Sequence, residues 1–141
     1  MERKIFILED DTNILYGLSA QLSADDFEVE TSEGEEEASV LLDNIRNFSP
    51  DYIILDLILP KLDGFEVLKS IKEDPELSDV PVFIFTDVSD EDSKQRSLGL
   101  GAEQYFLKDE FDIYNFSQKI KKIIDNKTSD SLALEEDMYQ E

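Results

Sequence analysis

Cysteine is absent from this chain of 141 residues, which excludes disulfides and thiolate-bound metals. Histidine is absent as well. Ser-His nucleophile pairs, histidine general bases and histidine-ligated zinc are therefore excluded. A metal in this protein must be bound by oxygen, which favours a hard cation such as Mg²⁺ or Ca²⁺. Long apolar runs are missing too. Nothing approaches the eighteen or so consecutive apolar residues of a membrane span. The apolar stretch near the N-terminus, Ile5 to Leu8, is short and runs straight into Glu9-Asp10-Asp11, unlike a signal peptide. Positive charge is scarce: 13 Lys and Arg stand against 35 Asp and Glu, a formal net charge of −22. Such a chain repels nucleic acid phosphates and anionic membranes. The expectation is a cytoplasmic protein that binds neither directly, its excess acid serving solubility.

What the chain does contain is an alternation of buried runs and helical stripes. Ile5–Leu8, Tyr52–Leu55, Val80–Phe85 and Tyr105–Leu107 read as strands buried on both faces. Phe27, Val29 and Thr31 alternate with acids and read as a strand nearer an edge. Between them, Ile14, Leu15, Leu18 and Leu22 have helical spacing, with Asp11, Thr12 and Asn13 as cap candidates. Ala38, Leu41, Leu42 and Ile45 form a second stripe. Phe65, Leu68 and Ile71 form a third, stopped by Asp74-Pro75. A polar helix is expected over Glu91 to Leu98, broken by Gly99 and Gly101. Ile113, Phe116, Ile120, Ile123 and Ile124 form the last stripe. Five strands alternating with five helices imply a parallel sheet covered on both faces. Residues 1–126 form one domain in this reading. Residues 127–141 are read as a disordered acidic tail.

The chemistry lies at the strand ends, where open α/β sheets bind ligands. The first strand ends in Glu9-Asp10-Asp11, the third in Asp56, the fourth in Thr86 and the fifth in Lys108. An acid after a strand is often only a helix cap, and that reading is preferred for Asp11. Asp56 alone could be a turn residue, Thr86 a cap and Lys108 a surface lysine. Their joint occurrence at four strand ends points further. Three carboxylates in one cleft raise each other's pKa unless cations intervene. A divalent ion together with Lys108 would balance Glu9, Asp10 and Asp56. Asp10 and Asp56 are expected to bind it directly, Glu9 through water, and the Ile58 backbone carbonyl to add a ligand. Mg²⁺ suits this oxygen set, with Mn²⁺ an alternative. A carboxylate beside such an ion, a lysine and a threonine is also a phosphoryl acceptor.

The segments FILEDD, DYIILDLILPKLDGFEVL, VPVFIFTD and GAEQYFLKD resemble the receiver domain of two-component response regulators, over about residues 3 to 125. The separations fit as well: 46 residues from Asp10 to Asp56, 30 more to Thr86 and 22 more to Lys108. The resemblance is to the stand-alone, CheY-like type. It implies a flavodoxin-like (βα)5 doubly wound sheet with strand order 2-1-3-4-5. It matches Glu9 and Asp10 to the acidic metal pair and Asp56 to the phosphoacceptor. It matches Thr86 and Tyr105 to the switch pair, and Lys108 to the lysine that meets the phosphoryl group. Pro60 and Gly64 match the turn after the acceptor strand.

Two positions depart from the family's pattern. Asp87 stands where alanine or glycine is usual and is expected to face solvent. Asp109 stands where a proline with a cis bond is usual. A cis bond before Asp109 would cost about 2.5–4 kcal/mol. The expectation is a trans bond with a shifted loop, or a strained cis bond. Two further positions, Ile58 and Val88, are those that influence hydrolysis in the family. Both are apolar and branched, which predicts a long-lived phospho-Asp56.

The function implied is a single-domain regulator phosphorylated on Asp56 by a histidine kinase or phosphotransfer protein. It would signal through protein contacts near Tyr105 and the last two helices. It would act on no substrate beyond itself. The alternative is a phosphorylation-independent docking module that kept the acidic site, with Asp87 and Asp109 in its favour. An aspartyl-phosphate hydrolase is disfavoured, because Ile58 stands where such enzymes need a proton-donating Asp.

Overall fold

The structure, a computed structural model, describes residues 3–139, with side chains described through Lys127. Its elements alternate strictly. They are β1 (Arg3–Leu8), α1 (Thr12–Ala24), β2 (Phe27–Ser32), α2 (Ala38–Phe48), β3 (Tyr52–Leu55) and α3 (Gly64–Glu73). Then follow β4 (Val82–Thr86), α4 (Glu91–Gly99), β5 (Gln104–Leu107) and α5 (Ile113–Tyr139). All strand pairs are parallel, in the order β2-β1-β3-β4-β5, as expected. No described helix is long and apolar enough to cross a membrane.

Because successive strand side chains point to opposite faces, each buried strand feeds two cores. Phe6, Leu8, Ile53, Leu55, Val82 and Ile84 face α2 and α3 through Leu41, Ile45, Leu68 and Ile71. Ile5, Ile7, Ile54, Phe83 and Phe85 face α1 and α5 through Leu15, Leu18, Phe116 and Ile120. This is why these strands read as continuous apolar runs rather than as alternating ones. Phe6, Phe83 and Phe116 are fully buried. Truncating any of them to alanine would cost about 3–5 kcal/mol, a large share of a typical domain's 5–15 kcal/mol.

Short acidic side chains start most of the helices. Asp11 accepts hydrogen bonds from the Asn13 and Ile14 N–H groups. Asp63 does the same for Phe65, Asp90 for Ser93 and Asp112 for Asn115. Each satisfies a backbone donor that the helix itself leaves unpaired.

Element bounds differ from expectation where charge or proline masks the pattern. β1 begins at Arg3, whose guanidinium lies over the Phe27 ring and pairs with Asp125. β4 begins at Val82 rather than Val80. Pro81 has no N–H for the ladder, yet its carbonyl accepts from Ile53. The backbone of α5 runs helically through Tyr139. It thus takes in most of the segment read as a disordered tail. The tail's side chains from residue 128, and all of residues 140–141, lie outside the described residues.

Candidate functional site

Parallel strands bring their C-terminal ends to one edge of the sheet, and the backbone ladder extends just past them. The Glu9 N–H donates to the Ser32 carbonyl and the Asp56 N–H to the Leu8 carbonyl, both at 3.0 Å. These bonds fix the first residue beyond β1 and beyond β3. On the far side, Thr86 pairs in register with Leu107, which sets Lys108 beside the end of β4.

The turn after β3 is equally constrained. The Gly64 N–H donates to the Leu57 carbonyl at 3.1 Å. A Cβ at Gly64 would fall 2.4 Å from the Leu57 Cα and 2.5 Å from its carbonyl oxygen. Only glycine permits this close return of the chain beneath Asp56.

Asp56 is 4% exposed, and both its oxygens are engaged. Oδ1 accepts the Thr86 hydroxyl at 2.8 Å and the Ile58 N–H at 3.1 Å. Oδ2 accepts the Lys108 ammonium at 2.6 Å. The same ammonium donates to Glu9 Oε1 at 2.9 Å, and the Asp11 N–H donates to that oxygen at 3.1 Å. Glu9 is buried, whereas Asp10 beside it is exposed. Glu9, Asp10 and Asp56 each bring a carboxylate oxygen within 4.8 Å of the others. The structure thus brings Glu9, Asp10, Asp56, Thr86 and Lys108 into one cluster.

Electrostatics follow from this geometry. Burial pushes the Glu9 carboxyl up to about 7; the neighbouring Asp56 charge adds to the rise and the Lys108 hydrogen bond opposes it. For Lys108, burial works against its charge, but the hydrogen bonds to Asp56 and Glu9 win and hold its pKa above the ordinary lysine value. The ammonium therefore stays charged at neutral pH. Three carboxylates against one ammonium leave the cluster negative, and the donors are all hard oxygens. That chemistry suits a divalent cation.

The remaining sequence-derived positions lie around the cluster. Tyr105 is half-buried, and its hydroxyl donates to the Val88 carbonyl at 2.6 Å. Burial pushes that phenol up to about 12, with the Asp90 and Asp56 charges adding to the effect. Ile58 is 57% exposed although its N–H reaches Asp56. Val88 is half-buried and Asp87 is exposed, as expected. The described residues contain no cis peptide bond. The bond before Asp109 is trans, and the chain leaves β5 through a 3-10 turn over Lys108–Glu110. Lys108 nevertheless reaches Asp56.

One feature escaped the sequence reading. Phe85, Phe106, Phe111 and Phe116 pack as one aromatic group beneath Thr86 and Lys108. Phe116 was legible as a core position of the last helix. Its partners come from three other segments, and helical spacing carries no trace of them.

The strand order and the setting of Asp56 at the edge of the sheet are those of a receiver domain, the signalling module of two-component systems. The profile of the response regulator receiver domain matches residues 5–121, and the chain belongs to that family. The probable transcriptional regulator ycf27 of Guillardia theta is 36% identical over 107 residues, covering 76% of this chain and 40% of that protein. The chain spans about two fifths of the length of curated relatives it matches. Among solved structures, the phosphorylated cyanobacterial phytochrome response regulator RcpA is 32% identical with a TM-score of 0.73, covering 87% of this chain and 91% of that one. The Mn²⁺-bound form of response regulator Rcp1 is 27% identical with a TM-score of 0.73, covering 84% and 91%.

Proposed function

We propose that Asp56 accepts a phosphoryl group from a phosphohistidine on a histidine kinase or phosphotransfer protein. A carboxylate oxygen of Asp56 attacks phosphorus, the P–N bond breaks, and the histidine nitrogen leaves with the bonding pair. The observation that carries this reading is the Lys108 ammonium 2.6 Å from Asp56 Oδ2. A cation so placed can meet the charge on the transferring oxygens. The Thr86 hydroxyl, bonded to the other oxygen of Asp56, is in reach of the same group.

Glu9, Asp10, Asp56 and the Ile58 carbonyl would hold Mg²⁺, with Mn²⁺ an alternative. The ion would neutralise charge on the donor phosphate. The RcpA and Rcp1 structures, one phosphorylated and one Mn²⁺-bound, support both parts of the reading by analogy.

Output follows from the switch pair. A phosphoryl group on Asp56 offers the Thr86 hydroxyl a new acceptor. Movement of Thr86 alters the space beside Tyr105, whose hydroxyl is tied to Val88 in the following loop. The β4–α4 loop and the face near Tyr105, α4 and α5 then present a different surface to a downstream protein. In this reading the domain is a cytoplasmic signalling module that modifies only itself, its net charge of −22 disfavouring direct nucleic acid contact. A phosphorylation-independent docking role would lean on Asp87 and Asp109. With Asp87 exposed and Lys108 in contact with Asp56, neither residue speaks for it.

The test is transfer from a radiolabelled phosphohistidine donor in Mg²⁺. Wild type should gain alkali-labile label and Asp56→Asn should gain none. Equal labelling of the two proteins would remove Asp56 from the role.

A further inference from the structure

We infer that Phe111 is a positioning residue, anchoring the β5–α5 loop so that the Lys108 ammonium stays between Glu9 and Asp56. Lysine has a flexible four-carbon stem, so the place of its ammonium depends on how firmly its backbone is held. On the N-terminal side, Lys108 is held by β5. On the C-terminal side, the local restraints are weak. The 3-10 turn has no side-chain cap. Its closing bond, from the Phe111 N–H to the Lys108 carbonyl, is 3.4 Å long, at the far end of the useful range. Asp109 and Glu110 within it are exposed.

Phe111 supplies what the turn lacks. Its ring meets Phe106 edge-on, with centroids 5.7 Å apart and planes at 83°. It meets Phe116 at 6.0 Å and 67°. Both partners are buried. Phe116 in turn stacks on Phe85, at 3.7 Å between centroids and 5° between planes, and Phe85 immediately precedes Thr86. One aromatic group therefore lies against the backbone of both Thr86 and Lys108, whose side chains bond Asp56. Beside it lies an open groove between α1 and α5, lined by Phe85, Lys108, Phe111 and Ile113 among others. Without the Phe111 ring, the loop can sag into that groove and the ammonium can swing out to water.

The inference rests on Asp56 as phosphoacceptor only in its kinetic readout. Phosphorylation by acetyl phosphate in Mg²⁺, a donor that needs no docking, should slow at least about tenfold in Phe111→Ala. Phe111→Tyr keeps the ring at a half-buried position and should restore the wild-type rate. In a Lys108→Ala background, Phe111→Ala should add no further slowing. Leu77→Ala, a core truncation at the opposite edge of the sheet, controls for lost stability and should leave the rate unchanged.

The second readout is the ¹⁵N resonance of the Lys108 ammonium in metal-free protein. It should be protected and sharp in wild type and Phe111→Tyr, and broadened or lost in Phe111→Ala. An unchanged ammonium signal in a folded Phe111→Ala protein would overturn the inference, as would additive slowing in the Lys108→Ala background. If wild type takes up no phosphoryl group, the reading of Asp56 fails, and the ammonium signal still decides the role of Phe111.

Discussion

Lys108 and Asp56, 52 positions apart in sequence, meet at 2.6 Å between Nζ and Oδ2. Removing this cation should have two separable effects. Lys108→Met leaves Asp56 and Glu9 buried with no cation in contact, and breaking a buried pair in this way costs about 3–5 kcal/mol. Urea unfolding at neutral pH without metal measures that loss. Phosphorylation of Asp56 also loses a preorganised donor, a slowing of about 10²–10³-fold, which acetyl phosphate kinetics measure.

The three clustered carboxylates predict a protein stabilised by divalent ions. At a hundredfold excess of Mg²⁺ over its dissociation constant, ligand linkage gives about 2.7 kcal/mol. Asp56→Asn removes both a ligand and a like charge, while Lys108, unlike the carboxylates in Lys108→Met, keeps a charged partner in Glu9. It should raise the melting temperature in EDTA and shrink the rise that Mg²⁺ produces. Scanning calorimetry of both proteins, with and without Mg²⁺, checks the two signs together.

Away from the site, Asp74 is buried and accepts from Arg46 Nε at 2.7 Å and from the Glu76 N–H at 2.8 Å. The Arg46 hydrogen bond is the main reason its carboxyl is held below the ordinary 3.8. A depressed carboxylate contributes its full stability above its unfolded pKa and loses it as pH falls through the lower folded value. Asp74→Asn should therefore melt earlier than wild type at pH 7. The gap should close as pH drops below 3.8. Melting curves across the acid range report it.

Phosphate on Asp56 should be long-lived. Neither Ile58 nor Val88 carries a group that can orient an attacking water. Ile58, 57% exposed, leaves room to add one. Ile58→Gln should shorten the lifetime of purified, Mg²⁺-bound phosphoprotein, followed by phosphate release. Fast loss from wild type would contradict the steric account.

Much of this architecture was legible because both faces of the sheet are buried. Ile5–Leu8 and Tyr52–Leu55 must be apolar at every position, so their strands stood out. The strand ends also stood out, because Glu9, Asp10, Asp56, Thr86 and Lys108 are polar residues placed directly after such runs. The rest depended on contacts that periodicity does not encode. Arg3 enters β1 by pairing in register with Phe27, and its side chain is received by the Phe27 ring and Asp125. The bond before Asp109 is trans, as a non-proline residue there favours, but the packing of Phe111 onto Phe106 and Phe116 beyond the turn carries no periodic signal. Glu9 is held just past β1 by its N–H bond to the Ser32 carbonyl and is buried, while Asp10 after it is exposed, a difference that the run Glu9-Asp10-Asp11 does not encode.

The most direct test of the account is intact-mass analysis with peptide mapping after acetyl phosphate treatment, with Mg²⁺ or EDTA. The account predicts one added phosphoryl group in Mg²⁺, mapped to Asp56, none in EDTA and none in Asp56→Asn. A wild-type protein that gains no mass in Mg²⁺, or gains it on another residue, would contradict it.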